Sequence, residues 1–219
     1  MNVSQAVASR RSVRAFLDKP VDREALVRVL DKARRAPSGG NVQPWHGVVV
    51  AGEALKSLIA TVAAKMGEGS PEYDIYPAGL PEPYKARRSG CAEEMYAVVG
   101  IARDDRPARI EHLMRNFTAF GAPVLLFCHT PAFMGKPQWS DLGMWLQTIM
   151  LLLCEEGFDS CPQEAWSAHG KTIRDHLGIP DDHVLFCGIA IGFADPAAPV
   201  NDAVISRAPL EEMIRFEGI

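Results

Sequence analysis

The 219-residue sequence holds no Cys-x-x-Cys pair, which argues against a zinc ribbon and a thioredoxin-type dithiol. Its five cysteines, Cys91, Cys128, Cys154, Cys161 and Cys187, are odd in number and scattered. Most sit in apolar runs, where a thiol packs as a small hydrophobe. Unpaired thiols point to a reducing compartment, and so to the cytoplasm. Long apolar stretches are missing too. The longest, from Leu142 to Cys154, is interrupted by Gln147 and falls short of the about 20 residues that cross a bilayer. Met1-Asn2-Val3-Ser4-Gln5 offers neither a charged lead nor an apolar region, so no secretory signal is expected. With a net charge of −4 there is no global basic field to attract nucleic acid. No strand-like segment leads into Gly-x-Gly-x-x-Gly, and no Walker A motif occurs, which argues against the common dinucleotide and nucleoside triphosphate sites. The even spacing of His169, His176 and His183 suggests a metal set. They straddle a helix and a turn with no thiol or carboxylate cluster beside them, so no metal is expected.

What is present is the composition of a globular chain, 47% hydrophobic and 23% charged, in one domain over residues 1–219. A short helical segment is expected over 3–8. A second helix over 23–35 has Asp22 as its N-cap and Leu26, Val29, Leu30 and Ala33 on one face. A valine-rich strand follows over 45–51, then an amphipathic helix over 53–66. Residues 67–90 mix glycines, prolines and Tyr73, Tyr76 and Tyr84, and read either as a packed surface Ω-loop or as an active-site flap. Further helices are expected over 92–99 and 108–120, and a strand over 123–129. The helix over 138–156 is apolar nearly all round, which predicts a buried central element closed by Gly157. A helix over 171–177 and a third strand over 183–193 complete the pattern. It is helix-rich with few, dispersed strands.

Two polar stretches stand out. Residues 9–14 read Ser-Arg-Arg-Ser-Val-Arg. Arg10 and Arg14 are four apart and Arg11 and Arg14 three apart, so on a helix they share a face. The guanidinium fork suits phosphate, and Ser12 adds a hydroxyl. Taken alone, the cluster also reads as a solvated basic face. Residues 37–45 read Pro-Ser-Gly-Gly-Asn-Val-Gln-Pro-Trp, a constrained loop whose glycines let backbone approach a ligand closely.

Together, Arg-Arg-Ser-x-Arg and Pro-Ser-Gly-x-Asn-x-Gln-Pro-Trp resemble the FMN-dependent nitroreductase family. Pro162-Gln163-Glu164-Ala165 resembles that family's Pro-x-Glu-Gly turn, with Ala165 for glycine, which requires a negative φ there. Arg207 before Ala208-Pro209-Leu210 is the fourth match; the lysine some members carry two residues earlier is Ile205 here. The resemblance implies an α+β fold, an α/β/α sandwich with a small, mostly antiparallel sheet, in an intertwined homodimer with flavins at the interface. It implies that Arg10, Arg11, Ser12, Arg14 and Arg207 hold the FMN phosphate, with Arg11 standing in for the absent lysine. Pro37, Ser38, Gly39, Asn41 and Gln43 would lie along the flavin from the other subunit. Pro162, Gln163, Glu164 and Ala165 would face the ring, with the backbone amide at 164 near N5. Trp45, Tyr76, Tyr84 and Trp166 would give planar substrates an aromatic wall. The family's mid-chain flavin asparagine has no evident counterpart. The implied activity is ping-pong, two-electron reduction of nitroaromatics and quinones with NADH or NADPH. Reductive dehalogenation, flavin cleavage and passive flavin carriage remain alternatives on the same scaffold.

Overall fold

A computed structural model of the protein describes residues 1–69 and 71–219; Ser70, within the expected Ω-loop or flap, lies outside them. A sheet of four antiparallel strands lies at its centre, in the order β1-β2-β4-β3. The strands are β1 (His46–Ala51), β2 (Val124–Pro131), β3 (Asp159–Gln163) and β4 (His183–Gly192). The helices are α1 (Val3–Ser9), α2 (Arg23–Ala33), α3 (Gly52–Ala64), α4 (Tyr84–Val98), α5 (Arg106–Met114), α6 (Lys136–Glu155) and α7 (Gly170–Leu177). Side chains of a strand alternate between faces, and β2 shows what that does. Val124, Leu126 and Cys128 join α2 and α6 in one core, while Leu125 and Phe127 join α3, α7 and Trp166 in the other. The result is the expected α/β/α sandwich. Among the described residues no helix is long and apolar enough to cross a membrane.

Local chemistry sets most boundaries. The Asp22 carboxylate accepts from the amides of Glu24 and Ala25 at 3.2 and 3.0 Å and starts α2. Gly157, with φ of 79°, closes α6 in the left-handed region that glycine enters without a Cβ clash. The expectation that α6 is a buried central helix holds for one face only. Leu142, Trp145, Leu146, Ile149, Met150 and Leu153 are buried, whereas Gly143, Met144 and Gln147 are exposed.

Three elements depart from expectation. α4 begins at Tyr84, inside the stretch read as irregular, and buries only Tyr96; with no apolar stripe it had no periodic signal to show. The helix expected over 108–120 ends at Met114. A tight turn follows over Arg115–Gly121, in which Ala119 and Phe120 take φ of 50° and 54°. β3 was read only as a turn. It pairs with β4 from Asp159↔Gly192 to Gln163↔Gly188, and Pro162 is tolerated because β3 is an edge strand.

Candidate functional site

The arginine cluster leaves α1 in extended form. Arg10 caps the helix at φ −60°, ψ 121°, and the chain beyond it runs beside the free edge of β3. Ser12 bridges Ser160 in parallel, and the Val13 amide donates to the Ser160 carbonyl at 3.0 Å. Sequence spacing had placed Arg10, Arg11 and Arg14 on one helix face. In an extended chain alternate residues share a side, so Arg10, Ser12 and Arg14 stand together and Arg11, which is exposed, falls on the other. The buried Cys161 thiol senses the same three. Desolvation pushes its pKa up to about 11, opposed by the charges of Arg14 and Arg10 and by the Ser12 hydroxyl. Arg14 is further fixed by its amide, which donates to Asn201 Oδ1 at 2.9 Å.

Two residues on along β3 comes the turn. Pro162 and Glu164 are exposed, Ala165 is half-buried, and Gln163 is buried. Ala165 keeps a negative φ. The Gln163 side chain does not face outward. Its Nε2 donates to the Asn116 carbonyl and Oδ1 at 2.8 and 3.2 Å, and its Oε1 accepts from Trp166 Nε1 at 3.1 Å. What Gln163 offers a ligand is therefore backbone. Glu164 is crowded on one side, and desolvation raises its carboxyl pKa. Trp166, expected in a substrate wall, is fully buried between Phe117 and Phe127. That expectation is corrected: the indole is core, and its one polar atom is spent on Gln163.

The loop over 37–45 sits at the opposite edge. It leads into β1, and Thr130 Oγ1 donates to the Pro44 carbonyl at 2.8 Å. The buried Asp141 of α6 accepts from the Gly39 amide at 3.3 Å. The Gln43 amide donates to Ser38 Oγ at 2.9 Å, and Gln43 Nε2 to the Asn41 carbonyl at 3.1 Å. Asn41 and Gln43 hold φ of 58° and 51°, a costly conformation for residues with a Cβ and one that concentrates at ligand sites. Pro37, Gly39 and Asn41 are exposed. From β1 to β3 is three strand spacings, about 14 Å. The loop also lies at the His46–His129 end of the sheet, whereas Ser160 pairs with Ile191 toward the other, about 20 Å along the strands. One chain thus separates the loop from the cluster along and across the sheet, whereas the turn, beyond Gln163↔Gly188, lies toward the loop's end and is separated from it by the three strand spacings.

Arg207 lies on the tail. Its Nη1 donates to the carbonyls of Ile205 and Ser206, while the Ser206 amide is held by Glu94 of α4. No hydrogen bond joins its side chain to the arginine cluster among the described residues. Tyr76 and Tyr84 are exposed, and Arg88 lies 3.9 Å over the Tyr76 ring. Trp45 is half-buried and stacks on Trp145 with centroids 5.8 Å apart.

A profile of the nitroreductase family matches residues 7–193. A chloronitrobenzene nitroreductase of Comamonas testosteroni is 34% identical, covering 98% of this chain and 96% of its own. The chain belongs to the nitroreductase family. A 4-nitrobenzoate reductase of Pseudomonas putida is also 34% identical, over 97% of this chain and 94% of its own. Among solved structures, the FMN- and NADPH-dependent nitroreductase NfnB from Sphigopyxis sp. strain HMH is 52% identical, with a TM-score of 0.98 over 100% of both chains. The FMN-dependent nitroreductase NfnB from Mycobacterium smegmatis, solved with NADPH, is 33% identical with a TM-score of 0.92, over 99% of this chain and 100% of its own.

For a nitroreductase, the residues along β3 fit a flavin nucleotide. Arg10 and Arg14 stand together without a carboxylate partner among the described residues, and the turn presents backbone at the strand's end. His112, buried against Tyr96, leaves its Nε2 without a partner, an orphaned polar atom of the kind a ligand or water satisfies. Asn116 is a mid-chain asparagine beside the turn, and its amide is spent on Gln163 and on the Leu113 carbonyl. A histidine group at the loop end of the sheet has no counterpart in the sequence pattern. His129 and His183 approach Nδ1 to Nδ1 at 2.8 Å, and the His46 ring lies 5.4 and 5.0 Å from theirs. Their spacing in sequence gave no signal; the strand register His46↔His129 creates the group.

Proposed function

We propose that this protein is an FMN-dependent oxidoreductase that takes electrons from NADH or NADPH and delivers them in two-electron steps to nitroaromatics and quinones. The observation that carries the reading is the alignment along one strand edge of a cationic segment, Arg10, Ser12 and Arg14, with the exposed turn at Pro162–Ala165. A phosphate-bearing, planar cofactor needs a charged anchor at one end and a backbone platform at the other. Arg10 and Arg14 bind the phosphate through charge-assisted hydrogen bonds, and Ser12 donates its hydroxyl to the same oxygens. The amides of Glu164 and Ala165 orient the ring and favour the charge that develops on it. The flavin, when bound, supplies the redox chemistry. Tyr76 and Tyr84 offer exposed rings to an aromatic acceptor. Donor and acceptor use the same space in turn, so ping-pong kinetics with parallel double-reciprocal lines follow.

The separation of the loop from the β3 edge supports a homodimer in which the Pro37, Ser38, Gly39, Asn41 and Gln43 loop comes from a second copy. Arg207, on an exposed tail, reaches a phosphate in the same shared arrangement. Five free cysteines suit a reducing cytoplasm. The test is anaerobic. The flavin colour is bleached with a nicotinamide donor, the donor is removed, and 4-nitrobenzoate or a benzoquinone is added. Rapid return of colour with a reduced product is expected. Bleaching that neither acceptor reverses overturns the reading and directs attention to dehalogenation or flavin cleavage; no bleaching at all leaves a passive carrier.

A further inference from the structure

Three segments are sewn together around the cationic edge of β3. The Val13 amide donates to the Ser160 carbonyl at 3.0 Å, the Phe16 amide to the Phe120 carbonyl at 3.2 Å, and Gln163 Nε2 to the Asn116 carbonyl at 2.8 Å. The third segment, from the end of α5 through Arg115–Gly121, was not anticipated as part of any site. It carries two adjacent residues, Ala119 and Phe120, held at positive φ and buried. Backbone strain of this kind persists only where the surroundings impose it, and it gathers at ligand sites.

The side chains on this segment are as unusual as its backbone. His112 is 7% exposed, packs edge-on against Tyr96, and has no hydrogen-bond partner at Nε2. Arg115 is half-buried. Among the described residues neither it, Arg14 nor Arg10 pairs with a carboxylate. His112 and Arg115 lie on the segment whose Asn116 and Phe120 carbonyls hold Gln163 and Phe16. Burial lowers the His112 pKa first, and the charges of Arg115 and then Arg14 lower it further. Guanidinium groups without carboxylate partners, gathered at one strand edge beside a buried imidazole that lacks a partner at Nε2, repel one another unless an anion sits among them.

We propose that Arg115 and His112 complete the phosphate cradle begun by Arg10, Ser12 and Arg14. Arg115 supplies the cation for which Arg11, on the opposite side of its segment, is misplaced and which Ile205 does not provide. His112 donates from Nε2, which has no other partner, to a phosphate oxygen. The proposal rests on the flavin-nucleotide reading above and adds two residues to it.

The test compares FMN with riboflavin, which lacks the phosphate, binding to flavin-free protein by fluorescence quenching. R115A is expected to weaken FMN binding about tenfold or more and to leave riboflavin binding unchanged. R115K, which keeps the charge but loses the planar fork, gives a smaller loss confined to FMN and serves if R115A folds poorly. H112F removes the orphaned nitrogen; it is expected to weaken FMN selectively while raising the melting temperature of the flavin-free protein. R106A, at the far end of α5 and exposed, is the control. If wild-type protein prefers FMN to riboflavin and R115A behaves like R106A, or loses both flavins equally, the proposal is overturned and the flavin reading stands. If wild-type protein shows no preference for FMN, the phosphate reading falls and takes the proposal with it.

Discussion

The histidines at the loop end of the sheet make acid stability a sharp test. His129 on β2 is 6% exposed. Desolvation lowers its pKa to about 4, and the facing charges of His183 on β4 and His46 on β1 act in the same direction. His183 is lowered too, by burial and His46, with Asp182 opposing and Arg174 adding slightly. In the unfolded chain a histidine titrates near pH 6.5. The unfolded state therefore binds the proton first. The folded form keeps its full advantage above about pH 6.5 and loses it as pH falls toward about 4. That interval corresponds to roughly 3 kcal/mol for His129 alone, a large share of an ordinary domain's stability. The assay is urea unfolding at fixed protomer concentration from about pH 7 to about pH 4, comparing wild type with His129→Gln. The variant should be less stable at neutral pH because the Nδ1 pair is broken. Its stability should fall less steeply with acid, by up to about 1.4 kcal/mol per pH unit between pH 5 and 6. Parallel curves for the two proteins would refute the reasoning, because they would mean that His129 takes its proton equally easily folded and unfolded.

Other consequences can be checked directly. Glu164→Gln keeps the backbone amide and should reduce the rate of flavin reduction only slightly, whereas Glu164→Pro deletes it and should cost about 10²-fold or more by stopped-flow. Trp166→Ala empties a fully buried site and should destabilise the fold by about 3–5 kcal/mol in denaturant titration; Trp166→Phe should cost about 1–3 kcal/mol, since it leaves Gln163 Oε1 without its donor. Flavin binding and self-association should be linked, so that removing FMN promotes dissociation in sedimentation; a monomer fully loaded with flavin would rule out the shared site.

The elements with strong periodicity were legible from sequence because their burial is one-sided. Leu26, Val29 and Ala33 announce α2; β2 was legible for a different reason, as a continuous apolar run in a sheet covered on both faces. β3 was not legible. Asp-Ser-Cys-Pro-Gln has no β-branched or aromatic residue and contains a proline, so its propensity is poor. It is a strand because β4 on one side and Ser12 on the other supply its partners. α4 was half missed for the complementary reason. It buries only Tyr96, so no apolar stripe marks it in the sequence. The end of α5 was misjudged because helix-compatible residues, Ala119 and Phe120, are forced by tertiary packing into the left-handed region.

The candidate site was legible as chemistry and not as geometry. Arg10, Ser12 and Arg14 suit phosphate by type, although taken alone the cluster also reads as a solvated basic face; which of the arginines stand together depends on whether the segment is helical or extended, and pairing with Ser160 decides that. The histidines make the same point. Spacing in the chain grouped His169, His176 and His183, whereas the sheet groups His46, His129 and His183, because register acts across strands and not along them. The largest gap concerns the two family motifs. They are fewer than thirty residues apart in sequence, yet the strand order β1-β2-β4-β3 sends them to opposite corners of the sheet. In the proposed arrangement a flavin anchored at Arg10 and Arg14 along β3 lies three strand spacings, about 14 Å, from Pro37–Gln43 of its own chain. If both motifs serve one cofactor, a second copy must bring the loop, and the exposed face of α6 at Gly143, Met144 and Gln147 lies on the same helix as Asp141, which holds that loop.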